Sequence, residues 1–362
     1  MIPVSPLFQE MVRYSHSVEP QVDLYVGNNV VQANIPVISG KVSTDLTSKT
    51  RYSCDLEMGL YPWDDIKVDV YKTRFKVYKG FPQIGERIQL GEYRVDDVNR
   101  NSQGSLSITG SGLESYVANA RFLRPRAPAY GSSTLGSIAS LITESVPRAK
   151  VSIEATKDQK VTQTKPWERE RIDAIWSLAD SLGVDVYAGY DGVFHIRDAP
   201  SLFGGVPVLV VDEGNGGVLV SEGVKSSRAK VYNAVSVKGD EELGIYGFAA
   251  DLDPASPTYY NGEYGQVPRF YSSKYITTTT QANAVAKSML AEAMARNRTV
   301  GFTSSPIAFL EAGDLIVLKL FDGSYETHMI STTSLDIGYD GALSVDTVAT
   351  KMEPPESDEA AA

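Results

Sequence analysis

Few residues in this sequence have the type and spacing to do chemistry. Its three histidines, His16, His195 and His328, are far apart and lie in unrelated contexts. His195 alternates with Phe194 and Ile196, the pattern of a histidine on one face of a strand rather than of a base or ligand. The carboxylate pairs Asp64-Asp65 and Asp96-Asp97 are adjacent in sequence, and neighbours on a strand point to opposite faces. Each is a poor acid/base dyad and a good solvated turn end. Asp251-Leu-Asp253-Pro-Ala-Ser256 offers oxygens to a calcium ion but lacks the glycine and distal glutamate of an EF-hand loop. An ion near Asp251 and Asp253 is therefore a minor reading. Gly110-Ser-Gly112 has no third glycine and follows no βαβ pattern, so it reads as a turn and not as a phosphate cradle. Arg121, Arg124 and Arg126 with Tyr130 make either a basic-aromatic nucleic-acid patch or a set of partners for acids of a neighbouring subunit. No nucleophile elbow and no His-Glu-x-x-His is present. The expectation is no catalytic residues, no cofactor and no metal site.

Composition agrees. The chain has 362 residues, 42% hydrophobic and 22% charged, enough for two or three domains with real cores. Its formal net charge of −11 argues against a generally basic nucleic-acid surface and favours the subunit-pairing reading of the arginines. Cys54 is the only cysteine, which excludes an internal disulfide and a multi-cysteine zinc site. No apolar run approaches the roughly 20 residues that cross a bilayer. The start, Met1-Ile-Pro-Val-Ser-Pro, does not read as a signal peptide. Twenty tyrosines with thirty glycines point to strands and turns.

The elements follow from periodicity. A short amphipathic piece spans residues 7–12. Strands are expected at 21–26, 30–37, 41–46, 51–58, 67–79, 92–98 and 104–110, a β barrel or small sandwich without a long helix. From residue 113 the character is α+β, with helices over 113–122, 132–146 and 167–182. Strands 150–154, 184–190 and 193–197 accompany them, the last two paired across Asp191-Gly192. Gly183 should end the third helix. Strands return at 206–211, 217–220, 229–238 and 244–250. A helix over 279–298 starts at Thr278-x-x-Gln281, the spelling of a capping box. Strands 299–302, 314–320, 326–331 and 342–350 finish the chain, before an acidic tail at 351–362.

Part of the last region looks like a copy of the first. Phe309-Leu-Glu-Ala-Gly313-Asp314-Leu-Ile316-Val-Leu318 echoes Phe81-Pro-Gln-Ile-Gly85-Glu86-Arg-Ile88-Gln-Leu90. Asp340-Gly341-Ala-Leu343-Ser344-Val345 then echoes Gln103-Gly104-Ser-Leu106-Ser107-Ile108. Two blocks in the same order predict a duplicated β unit whose strands are equivalent in two barrels.

Several phrases carry a resemblance. One is Glu168-Arg-Glu-Arg-Ile172 running to Leu178-Ala-Asp-Ser-Leu-Gly183, followed by Val186-Tyr-Ala-Gly-Tyr-Asp191-Gly192-Val-Phe-His-Ile. Others are Val231-Tyr-Asn233-Ala-Val-Ser-Val-Lys-Gly239, then Ser256-Pro257-x-Tyr-x-x-Gly262 joined to the helix at 282–295, and Leu310-Glu-Ala-Gly313-Asp314. Together, over roughly residues 160–320, these resemble the baseplate hub or tail-tip hub proteins of long-tailed bacteriophages. The resemblance implies a mainly β fold with an α+β insertion, two tail-tube-like β barrels flanking a smaller α+β domain. The corresponding limits are 1–112 for the first barrel, 113–205 for the middle domain, 206–350 for the second barrel with its one helix, and 351–362 for a flexible tail. It further implies a structural homotrimer in the virion that caps the tail tube, adapts sixfold to threefold symmetry and leaves a conduit for DNA. The partners it implies are the tail tube or a distal tail ring on one side, a tip or spike protein on the other, and the tape-measure protein. DNA would pass without specific binding. The competing classes are a tail-associated cell-wall peptidase or glycan hydrolase, which needs a site not found here, and a carbohydrate-binding β module, which only the tyrosines support.

Overall fold

The computed structural model describes residues 1–14, 18–59, 68–100, 105–146, 148–162, 166–200, 205–214, 216–226, 231–239, 244–273, 276–295, 298–338 and 341–349. His16, Asp64-Asp65, Gln103-Gly104, Asp340 and the tail 351–362 lie outside them.

The first half is a closed antiparallel barrel. Its strands are β1 (Glu19–Val26), β2 (Asn29–Asp45), β3 (Tyr52–Gly59), β4 (Thr73–Phe81), β5 (Glu86–Arg100) and β6 (Ser105–Gly112). They run in the spatial order β1-β4-β5-β6-β3-β2, and a β1–β2 ladder closes the ring. Closure pairs the edges that an open sheet would leave exposed. Alternation sets the faces: Phe75, Val77 and Phe81 of β4 are buried, as are Leu56 and Met58 of β3. The amphipathic start forms α1 (Pro6–Met11), capped by Ser5, and docks on its own barrel with Phe8 against Phe81, ring centroids 4.4 Å apart. Residues 30–37 and 41–46, expected as two strands, are one 17-residue strand running through Gly40. Gly40 takes φ +150°, and a Cβ there would lie 2.4 Å from the Asp55 carbonyl oxygen. Glycine lets the strand bend here without ending.

The middle region packs α2 (Glu114–Asn119), α3 (Thr134–Ser145) and α4 (Arg171–Leu182) on a small sheet. That sheet is β7 (Lys150–Ile153), β9 (Val193–Asp198) and β8 (Val184–Ala188), in that order. Ile138, Leu141, Ile175, Leu178, Phe194 and Ile196 belong to its separate core. Gly183 ends α4 in the left-handed conformation, as expected. The helix begins at Arg171 and not at Trp167. The Trp167 and Arg126 backbones bond each other instead, N to O at 2.8 and 3.1 Å, so Trp167 is committed to a bridge.

The last region repeats the barrel strand order. It contains β10 (Leu209–Val211), β11 (Leu219–Ser226), β15 (Arg298–Ser304), β16 (Leu315–Lys319), β17 (Tyr325–Asp336) and β18 (Leu343–Ala349). Their spatial order is β10-β16-β17-β18-β15-β11, the order of β1-β4-β5-β6-β3-β2. Here β10 runs parallel to β16, and among the described residues no ladder joins β10 to β11. Between β11 and β15 sits a second small core. In it β13 (Tyr246–Ala250), β12 (Ala234–Lys238) and β14 (Pro268–Ser272) are covered on one face by α5 (Thr279–Ala295). The capping box at its start is present: Gln281 N donates to Thr278 Oγ1 at 3.2 Å and Thr278 N to Gln281 Oε1 at 3.0 Å. Strand β14 is absent from the sequence reading, because an opening proline and polar flanks hide a strand that pairs in parallel with β12.

The two sequence echoes fare differently. Leu106-Ser107-Ile108 and Leu343-Ser344-Val345 lie on β6 and β18, which hold equivalent places. The other echo is one strand out. Gly85 opens β5, whereas Gly313 opens β16, which holds the place of β4. Glycine and an acid before alternating apolar residues spell any turn into any strand, so that match located a strand start without identifying the strand.

Candidate functional site

The place where the two repeats meet is built from strand ends. β2 extends past its ladder with β1, and β17 extends past its ladder with β16. The two overhangs pair antiparallel, from Thr332 with Asp45 to Asp336 with Lys41. One continuous sheet, antiparallel except where β10 meets β16, therefore runs through both repeats. Hydroxyls line this seam. The Oγ1 atoms of Thr44 and Thr333 lie 2.6 Å apart in the interior, and Thr44 Oγ1 also accepts from Ala312 N at 3.1 Å. Ser43 Oγ donates to Ser334 Oγ at 3.3 Å. Val42 and Leu335, directly opposite each other, are both buried, and the Tyr52 hydroxyl donates to Glu311 across the same junction.

Lys79 lies among the inward residues of β4, only 1% exposed, and among the described residues its Nζ has no hydrogen-bond partner. Burial pushes its pKa down to about 8, although Asp336 at the end of the seam draws it up. A second polar junction ties the first barrel to the middle domain. Arg51 donates from Nη2 to both oxygens of Asp185 at 2.8 and 2.9 Å, and its guanidinium lies 3.9 Å from the Tyr187 ring centroid. The buried Glu114 carboxylate accepts from Ala188 N at 3.0 Å and Arg51 N at 3.3 Å. Burial raises its pKa, and those backbone donors and the Arg51 charge oppose the rise.

The residues singled out as possible chemistry are dispersed through the fold. His195 sits on β9 with Nδ1 2.8 Å from Glu154 and its ring stacked on Tyr187. His328 is fully buried on β17, its Nε2 3.0 Å from Glu326 and its Nδ1 2.9 Å from Thr347 Oγ1. Thr347 donates its hydroxyl proton to Val300 O, so it accepts from His328 Nδ1–H. Glu326, His328, Thr347 and the Val300 carbonyl thus form a buried polar chain. Asp96 is held by Arg94 Nε at 2.9 Å and by Ser111, while Asp97 is exposed; a bulge between Val95 and Asp97 separates the pair. Asp251 accepts from Thr258 Oγ1 at 2.8 Å and from Asp253 N, and Asp253 accepts from Ala255 N. Those oxygens knit a turn. Among the described residues there is no group of three His, Cys, Asp or Glu able to hold a metal. Arg121 pairs with Glu170 and Arg126 with Glu144, acids of the same chain rather than of a neighbour. The Arg126 hydrogen bond, aided by Arg171, holds Glu144 down at about 2. Among the described residues no helix is long and apolar enough to cross a membrane. The site that sequence reasoning missed is the seam, whose only signal was that Lys41–Asp45 alternates beyond the length a hairpin with β1 needs.

No family model matches the sequence, and no curated protein matches it. Solved structures match along almost the whole chain. The tail protein from Neisseria meningitidis MC58 aligns at TM-score 0.66 and 13% identity, over 92% of this chain and 97% of its own. Prophage tail protein gp18 from Listeria monocytogenes EGD-e aligns at 0.61 and 12%, over 92% and 95%. The chain has the fold of prophage tail proteins. A component of the E. coli type VI secretion system, itself similar to T4 bacteriophage tail proteins gp27 and gp5, shares this tail-protein fold at TM-score 0.50 and 9% identity, over 92% and 79%. The hub resemblance read from local phrases thus has its counterpart in the fold. At these identities the likeness is one of architecture.

Proposed function

We propose that the chain is a structural hub of a phage tail or tail-like particle, a homotrimer forming a ring of six barrels. The two barrels would occupy 1–112 and 206–350, with 113–205 as the middle domain between them. The observation that carries this reading is the repeated strand order laid side by side through one seam, because two quasi-equivalent units per chain let three chains present six to a sixfold tube. The tail-protein fold supports a place in the virion tail. The tube or a distal tail ring would meet one face and a tip or spike protein the other. The tape-measure protein and then DNA would pass through the middle without specific binding. A catalytic role is not part of the proposal: His195 and His328 are both engaged in structural contacts. Sedimentation of the purified protein tests the ring, with a trimer expected and a monomer at high concentration overturning it. Zymography on cell-wall material tests the enzyme alternative, and no clearing is expected.

A further inference from the structure

The repeat equates strand positions residue by residue. Leu106, Ser107 and Ile108 of β6 correspond to Leu343, Ser344 and Val345 of β18. Ile108 pairs with Leu56 and Val98, and Val345 with Phe302 and Thr333. Hence Val98 on β5 corresponds to Thr333 on β17. Stepping across the next ladders, Lys41 and Val42 of β2 correspond to Gly223 and Val224 of β11. Two irregularities confirm the alignment. A bulge falls between Val37 and Ser39 and again between the corresponding Leu219 and Ser221, leaving Ile38 and Val220 exposed at 52% and 68%. Another falls between Val95 and Asp97 and again between the corresponding Ile330 and Thr332. Bulges are specific features, and two at matched places do not arise from register by chance.

Within the chain, the β2 overhang pairs with the β17 overhang. Their counterparts are the β11 segment from Gly223 and the β5 segment Asp97–Arg100. The ladder of β5 with β4 ends at Arg94, and among the described residues β11 pairs only with β15. Among the described residues neither overhang has a partner strand on its outer edge. Asn99, Arg100 and Val224 are exposed. A strand edge without a partner strand is a template for another strand.

We propose that the β11 overhang of one copy pairs antiparallel with the β5 overhang of a second copy, repeating the internal seam. Carrying the β2–β17 register over places Val98 opposite Ser226, Asn99 opposite Lys225 and Arg100 opposite Val224. The contact joins different surfaces of the two copies. It is therefore head to tail, and it continues the sheet around a ring instead of stopping at a twofold dimer. This deepens the ring reading above and rests on it for the number of copies, while the strand assignment rests on the duplication alone.

The test co-expresses Arg100→Cys and Val224→Cys chains, with Asn99→Cys and Lys225→Cys as a second pair. Cys54 is buried and leaves a low background. Mild oxidation is expected to give a covalent dimer from at least one mixed pair and not from Arg100→Cys with Tyr130→Cys, an exposed control in the middle region. The double variant in one chain is expected to give a covalent ladder or closed oligomer. A trimer by sedimentation with no cross-link from either pair overturns this seam and leaves the ring standing. A monomer overturns both.

Discussion

At the scale of single residues, Lys79 is the most informative. An ammonium inside a barrel, with no hydrogen-bond partner among the described residues, costs stability for as long as it stays charged. Its folded pKa of about 8 lies below the ordinary 10.5, so between those values the unfolded chain binds the extra proton. Stability from this group therefore rises with pH across that window, and the full penalty applies below it. Lys79→Met is expected to stabilise the protein at pH 7 by up to about 3 kcal/mol, the shift converted at 1.36 kcal/mol per unit. The gain should shrink toward zero as the pH approaches 10.5. Denaturant melts at pH 7 and pH 10 measure it; a variant less stable than the parent at pH 7 would show that the ammonium has a partner that stabilises it. The charge near Asp336 places this residue beside the seam, where a methionine also reports on whether the junction tolerates an apolar filling.

At the scale of elements, Gly40 decides whether β2 can serve two neighbours. Before it the strand pairs with β1, and after it with β17. Its carbonyl accepts from Ile337 N at 3.0 Å, pinning the far end of β17. Gly40→Ala combines an unfavourable φ with a Cβ against the Asp55 carbonyl, a backbone atom that cannot swing aside. It is expected to destabilise by roughly 2 kcal/mol or more. Hydrogen exchange should show the loss concentrated in 41–45 and 332–336, with the β4–β5 hairpin protected. Uniform loss of protection would mean that the seam and the barrel open together.

At the scale of the molecule, the net charge of −11 has a use in the hub reading. A wall rich in lysine and arginine would hold passing phosphates, whereas an acidic wall repels them over roughly 8 Å at physiological salt. The acids are therefore expected to be biased toward the inner surface of the assembled ring. A cryo-microscopy reconstruction of the tail tip, with the potential mapped on the lumen, measures this. A lumen lined mainly by Lys and Arg sinks the idea, and acids scattered evenly over the outside reduce it to ordinary solubility.

Local pattern alone was enough for the mainly β class, the insertion of helices after residue 113, the Gly183 stop and the Thr278–Gln281 cap. These depend on contacts within a few residues, where alternation and backbone preference act directly. The Leu106 and Leu343 blocks also exposed the repeat, because equivalent strands bury the same face. Only the tertiary structure decided which strands are equivalent, for Gly85 and Gly313 spell the same turn in different places. Only it revealed that β2 outlasts its hairpin to reach β17, that β14 exists, and that Lys79 faces inward. Those facts come from pairings between residues up to about three hundred positions apart, such as Thr44 with Thr333. A strand's own sequence states which side is apolar, but its edges are backbone, identical in every residue, and so carry no record of which neighbour they will meet.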